Sequence, residues 1–292
     1  MAAMSEVELI LDAKATLGEG PAWDSKNQRL IWVDILEKKL HIYDRKDHSL
    51  DLEGYPGCVA PCKDGRLIVA LHYGFWLLDM TRSALTEIAV PRGEPVTNRF
   101  NDGKCDPAGR FLAGTMDMAE RQANGSLYSL SPSGEITKLL SGLRISNGLA
   151  WSPDYRTFYF IDTPTREVKA FDYDLETGVI SKQRLAFVIP GELGFPDGMT
   201  SDLEGYLWIA MWGGAQVTRW DAAQGRLLEQ IKVPAFNVTS CVFGGMDMNE
   251  LYITTARKGM DEPGLKSYPL SGGLFRVETN TTGMPTFEFG LE

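Results

Sequence analysis

Histidine is scarce in this chain. There are three in 292 residues (His41, His48 and His72), none beside a candidate nucleophile. No G-x-S-x-G segment accompanies them, which disfavours a Ser-His-Asp hydrolase. G-x-G-x-x-G and Walker loops are also missing, so no nucleotide cofactor is suggested. Cysteine is almost as rare. Cys58, Cys62, Cys105 and Cys241 are too few for a disulfide framework in a chain this long. Cys58 and Cys62 form C-x3-C with no second pair and no neighbouring His, which argues against zinc there. Free thiols in a reducing cytosol are the expectation, and hence a cytoplasmic protein.

No apolar run approaches the roughly 20 residues of a membrane-spanning helix. The longest, "LIVALHYGFWLLDM" from Leu67, is broken by His72 and Gly74 and reads as two strands. The N-terminal stretch lacks the basic region and apolar block of a signal peptide, so the three N-x-S/T sequons (Asn124, Asn237, Asn280) carry little weight. Positive charge is in deficit, 29 Lys and Arg against 39 Asp and Glu, a net charge of −10. Such a surface repels phosphate backbones and anionic lipid, so neither nucleic acid nor a membrane is expected as a partner. Nothing calls for an obligatory protein partner.

What is present is a repeat. An Asp or Ser-Pro turn followed by an apolar strand occurs six times: "DSKNQRLIWVDI" (24–35), "KDGRLIVALH" (63–72), "DPAGRFLAGTM" (106–116), "SPDYRTFYFID" (152–162), "DLEGYLWIAMW" (202–212) and "GMDMNELYITTA" (245–256). Most copies are followed by a second alternating strand and a turn such as "DLETG" or "AAQG". Asp, Asn and Gly supply the turn chemistry, and β-branched and aromatic residues alternate with polar ones between turns. No helix of ten or more residues with a 3.6-residue period is evident. Six units of about 40–50 residues, each a few short antiparallel strands, predict an all-β, six-bladed β-propeller filling one domain over 1–292. The alternating "EVELILD" near the N-terminus is expected to pair into the last blade and close the ring. Two β-sandwiches are the alternative, which no linker-like stretch supports.

The repeat also aligns polar residues. Five positions before Asp24, Asp106, Ser152 and Asp202 stand Glu19, Asn101, Asn147 and Asp197, and the strand alignment puts Cys58 and Ser240 in the other two units. Innermost strands of a propeller line its channel, so these positions form a ring. Glu19, Asn147 and Asp197 offer hard oxygen donors suited to Ca²⁺, Mg²⁺ or Mn²⁺, and a glycine after each lets the backbone turn tightly. The alternative for each is an ordinary polar turn capping a strand. Arg99 and Asn101, with Asp102, precede another channel strand and supply donors and acceptors for a polyhydroxylated or carboxylate-bearing ligand. Trp and Tyr recur at core positions of the repeat; Trp212, at the end of an inner strand, is left open as a ligand contact.

The segments "LGEGPAW", "NRFNDGKCDPAGRFLAGTM", "SNGLAWSPD", "FPDGMTSDLEGYLW" and "LYITTARKGM", in this order over about residues 14–277, closely resemble the SMP-30/gluconolactonase/LRE family. The resemblance implies a six-bladed propeller with one central divalent metal ion (Ca, Zn, Mn or Fe(II)) and hydrolysis of sugar lactones to aldonic acids. By it, Glu19, Asn147 and Asp197 match the metal ligands, Asp197 also the general base, and Arg99 and Asn101 the substrate contacts. Members of the family often place a substrate-contacting Glu shortly after "AGTM". Here "MDMAERQANG" follows, and Glu120 or Asp117 is expected to take that place. The ion would act as a Lewis acid on the lactone carbonyl while Asp197 moves the proton. Two competing functions are a calcium-binding regulatory protein and a phosphotriester or aryl-ester hydrolase; the latter calls for a more apolar mouth than Arg99 and Asn101 suggest.

Overall fold

In the computed structural model, which describes residues 6–290, the chain winds into six four-stranded antiparallel sheets. Blade 1 contains Gly18–Asp24, Arg29–Asp34, Lys39–Tyr43 and Asp47–Asp51. Blade 2 begins at Pro56–Pro61, blade 3 at Asn98–Cys105, blade 4 at Ser146–Trp151, blade 5 at Phe195–Ser201 and blade 6 at Asn237–Gly244. Each of these first strands packs against the first strands of its two neighbours, so the six line a closed central channel. Blade 6 takes its outer strand from the other end of the chain: Glu8–Leu11 pairs antiparallel with Leu274–Glu278. The predicted closure of the ring by the N-terminal segment is therefore observed. Among the described residues one α-helix occurs, Glu262–Ser267.

Alternation along the strands explains why each blade needs both neighbours. In blade 1, Ile31 and Val33 turn towards blade 2, where they pack with Val59, Leu67 and Val69. Leu30 and Trp32 turn the other way, onto Val242, Tyr252 and Leu274 of blade 6. The same division recurs around the ring, so the core is six apolar wedges between blades and each sheet buries both faces. All four cysteines are free and buried in these wedges. Burial pushes the Cys58 and Cys105 thiols up and holds Cys241 at about 12, so they serve as apolar filling rather than as ligands.

The repeated turn aspartates belong to the opposite end of the inner strands. Asp106 accepts from the Ala108 and Arg110 amides, and Asp202 from those of Glu204 and Tyr206. Asp24 likewise accepts from the Asn27 amide and from Arg29 Nε. These carboxylates clamp hairpins, which is why the sequence repeats them. The C-terminal segment crosses this same end: the amides of Met284, Phe289 and Gly290 donate to Ser201, Pro61 and Gly109 carbonyls.

Candidate active site

All six inner strands carry a one-residue bulge near their start. Between Glu19 and Ala22 the strand advances three residues while its partner advances two, from Val33 to Ile31. Equivalent slips lie at Phe100/Gly103, Asn147/Leu149 and Pro196/Met199, and at Pro56/Cys58 and Val238/Ser240. A bulge breaks the ladder and re-aims a side chain. It turns the residue at this position out of the alternation and into the channel.

The pairing places the ring predicted from the repeat on one rung of the sheets. Glu19 stands opposite Val33 and Asn147 opposite Ile161, and the same rung of blades 2 and 6 carries Cys58 opposite Ala70 and Ser240 opposite Thr254. In blades 2 and 6 the extra residue, Gly57 or Thr239, comes before that rung, whereas in blades 1 and 4 it comes after it.

The glycines after the three oxygen residues do not share one role either. Gly20 has φ of +54°, the left-handed conformation expected of a tight turn. Gly198 is needed for room: a Cβ there would stand 2.1 Å from Ser240 Oγ on the adjacent blade, and one on Gly148 2.8 Å from the Asp197 carbonyl. Their absence lets neighbouring strands close in, and this brings the oxygen residues of different blades together.

The result is a cavity of about 380 Å³ whose lining includes Glu19, Arg99, Asn101, Glu120, Asn147 and Asp197. These six are thus in one pocket, whereas Asp102 is not in its lining. Glu19, Arg99, Asn101, Asn147 and Asp197 form its floor, each only 3% to 5% exposed. Asp117 is not in the lining; its carboxylate accepts from the Arg121 and Gln122 amides and shapes the turn that carries Glu120. Trp212 lines the pocket with Leu17, Met116, Ile145, Pro164 and Phe195, so the walls are more apolar than Arg99 and Asn101 suggested.

A hydrogen-bond chain fixes the floor. Arg99 Nη1 donates to Asn101 Oδ1 (2.7 Å), and Asn101 Nδ2 donates to Asn147 Oδ1 (3.0 Å). Asn147 Nδ2 donates to Thr163 Oγ1 (2.8 Å), which donates to the Pro196 carbonyl (2.8 Å). Thr163 therefore decides which end of the Asn147 amide is the acceptor facing the channel. It was missed from sequence because it opens a short 3₁₀ turn, Thr163–Thr165, after the second strand of its blade. Lys258 was missed likewise: it lines the pocket from blade 6 and pairs with Glu120.

The carboxylates here are electrostatically frustrated. Burial, then the charge of Asp102, pushes Glu19 up from 4.5 to about 8. Burial, then the charges of Glu19 and Asp102, holds Asp197 well above the usual carboxylate range. Asp102 is itself raised by burial, with Lys104 opposing. Unlike the hairpin aspartates, Asp197 leaves Oδ1 buried with no hydrogen-bond partner. A buried anionic oxygen without a partner is costly unless a cation or proton meets it.

A family model, "SMP-30/Gluconolactonase/LRE-like region", matches residues 17–257. Regucalcin of Danio rerio is 39% identical over 290 residues, covering 97% of this chain and 98% of its own. "Putative sugar lactone lactonase YvrE" of Bacillus subtilis is 39% identical over 281 residues, covering 95% of this chain and 96% of its own. Among solved structures, one described as a calcium-binding protein, regucalcin, from Agrobacterium tumefaciens superposes with a TM-score of 0.93 at 29% identity, covering 98% of each chain. With its six blades and this match over most of its length, the chain belongs to the SMP-30/gluconolactonase/LRE family.

Proposed function

We propose that the protein hydrolyses sugar lactones to aldonic acids, with a divalent cation held by Glu19, Asn147 and Asp197. The observation that carries this reading is the unpartnered, buried Asp197 Oδ1 beside Glu19 and an amide oxygen oriented by Thr163. Two carboxylates and one amide carbonyl are a hard donor set that fits Ca²⁺, Mg²⁺ or Mn²⁺. Among the described residues, no group of three or more His, Cys, Asp or Glu is poised to hold a metal. The fit therefore depends on Asn147 as the third donor. A bound divalent ion supplies charge that polarises a lactone carbonyl.

The chain's own residues do the rest. Asp197 accepts one proton of the attacking water and returns it to the ring oxygen as the C–O bond breaks, giving a hydroxyl and a carboxylic acid, which then releases its proton to solvent as the aldonate forms. Burial and the nearby anions raise its basicity while a cation lowers it. These opposing effects keep a carboxylate that touches a cation competent as a base. Arg99, fixed through Asn101, presents its guanidinium to the substrate. Thr163→Val removes the partner that sets the Asn147 amide. Calorimetric titration is expected to show about ten- to a hundredfold weaker divalent-ion affinity with the melting temperature little changed.

The direct test is a pH-stat panel of aldonolactones, corrected for spontaneous hydrolysis, with Ca²⁺, Mg²⁺, Mn²⁺, Zn²⁺ or Fe²⁺ added in turn. Acid release above background supports the reading; none with any ion would leave the calcium-binding role. The apolar walls favour a second substrate class, aryl esters, which belong in the same panel.

A further inference from the structure

The mouth of the pocket holds an ion pair in which Glu120 is the expected substrate contact and Lys258 has been given no role. Lys258 Nζ meets Glu120 Oε1, and both residues line the cavity. Glu120 sits in the turn after the second strand of blade 3, Phe111–Asp117; Lys258 follows the second strand of blade 6, Glu250–Ala256. Blades 3 and 6 are opposite one another in a ring of six, so the pair spans the entrance. Its side chains are 38% and 33% exposed, within reach of solvent and of an entering ligand.

Both ends hang from fixed backbone. Glu120 has a left-handed φ of 59°, and its amide donates to the Asp117 carbonyl. The Lys258 amide donates to the Thr16 carbonyl, and the Lys258 carbonyl accepts from Asn237 Nδ2 (3.0 Å). A partly exposed ion pair contributes little to stability, so opening it costs little.

We propose that Lys258 is a specificity residue which, with Glu120, reads a vicinal diol on the substrate. A carboxylate only accepts hydrogen bonds, an ammonium only donates them, and a hydroxyl does both. Two adjacent hydroxyls entering between Glu120 and Lys258 give one donor to the first and one acceptor to the second, so opening the pair leaves neither charge unpaired. A lactone without hydroxyls offers no such exchange. The clamp therefore selects polyhydroxylated lactones despite the apolar walls. The inference rests on the lactonase reading and assigns to Lys258 its preference for sugar lactones over lactones without hydroxyls.

The test compares kcat and KM for D-glucono-1,5-lactone and for δ-valerolactone, with a divalent ion present, in wild type, Lys258→Met and Lys258→Arg. Lys258→Met is expected to reduce the preference for gluconolactone, as a ratio of kcat/KM values, about ten- to a hundredfold. The loss should lie in KM, and Lys258→Arg should restore most of it. A preference that stays within about threefold of wild type, with melting temperatures equal, overturns the proposal. If wild type turns over neither lactone, the lactonase reading fails, and calorimetric titration with D-glucitol then decides the clamp. Weaker binding by Lys258→Met supports it; equal binding or none in wild type refutes it.

Discussion

Asp197→Asn is expected to lower kcat/KM for aldonolactones by about a thousandfold or more, the span of a lost general base. The substitution conserves shape, so the strand and its bulge stay in place while the proton acceptor and one anionic donor are removed. Glu19→Gln separates the two roles. It removes an anionic donor but not the base, so raising the divalent-ion concentration should recover part of its activity and little of that of Asp197→Asn. Ion titrations of steady-state activity read the difference. Equal recovery in both variants would show that Asp197 serves only as a donor. Stability should move in the opposite direction. Each neutral amide removes the cost of burying a carboxyl that must either hold a proton or stand as an uncompensated anion, so in chelator at neutral pH both variants should melt above wild type. A lower melting temperature would mean that the carboxylates pack favourably without an ion.

The second large effect is a pH dependence with an unusual sign. Glu19 is raised from 4.5 to about 8, and Asp197 and Asp102 are raised too, all chiefly by burial. Between those limits the folded state holds protons that the unfolded chain has released, so unfolding free energy falls as pH rises. The Glu19 contribution is complete below about pH 4.5 and is lost as pH rises through about 8; Asp197 and Asp102 act in the same direction. Chelator-treated protein should therefore melt at progressively lower temperature from about pH 5 to about pH 8. A divalent ion replaces the protons, so its affinity should rise over the same range. At a hundred times its dissociation constant it adds about 2.7 kcal/mol, and the decline should flatten. Differential scanning calorimetry at several pH values, with chelator and with Ca²⁺, measures both. A melting temperature in chelator that rises with pH over this window would contradict the buried, uncompensated carboxylates.

Much of this was legible in the chain because propellers write their architecture locally. Period-two alternation announced strands, and recurrent Asp-x-x-Gly turns announced hairpins. Six copies announced the ring, and the N-terminal strand found its place in blade 6. The four aligned polar residues were legible for the same reason: each lies five residues before a turn whose chemistry is fixed. Where that landmark was missing, in blades 2 and 6, strand alignment still found the same rung, at Cys58 and Ser240. Nothing local marks the bulge, which there falls on the other side of the rung.

Thr163 and Lys258 were beyond any local pattern, because their importance comes from partners in other parts of the chain. Thr163 meets Asn147 and the Pro196 carbonyl; Lys258 meets Glu120, 138 residues away. The walls were misjudged for a similar reason: Leu17 adjoins blade 1, Met116 lies in blade 3 and Phe195 and Trp212 in blade 5, and only their convergence makes an apolar surface. By itself the sequence determined strands, turns and repeat number, since hydrogen bonding and alternation act between near neighbours along the chain. Tertiary structure decided which oxygens converge, which of them lack a partner and which charges face each other across the mouth, since those depend on distances that exist only once the ring has closed.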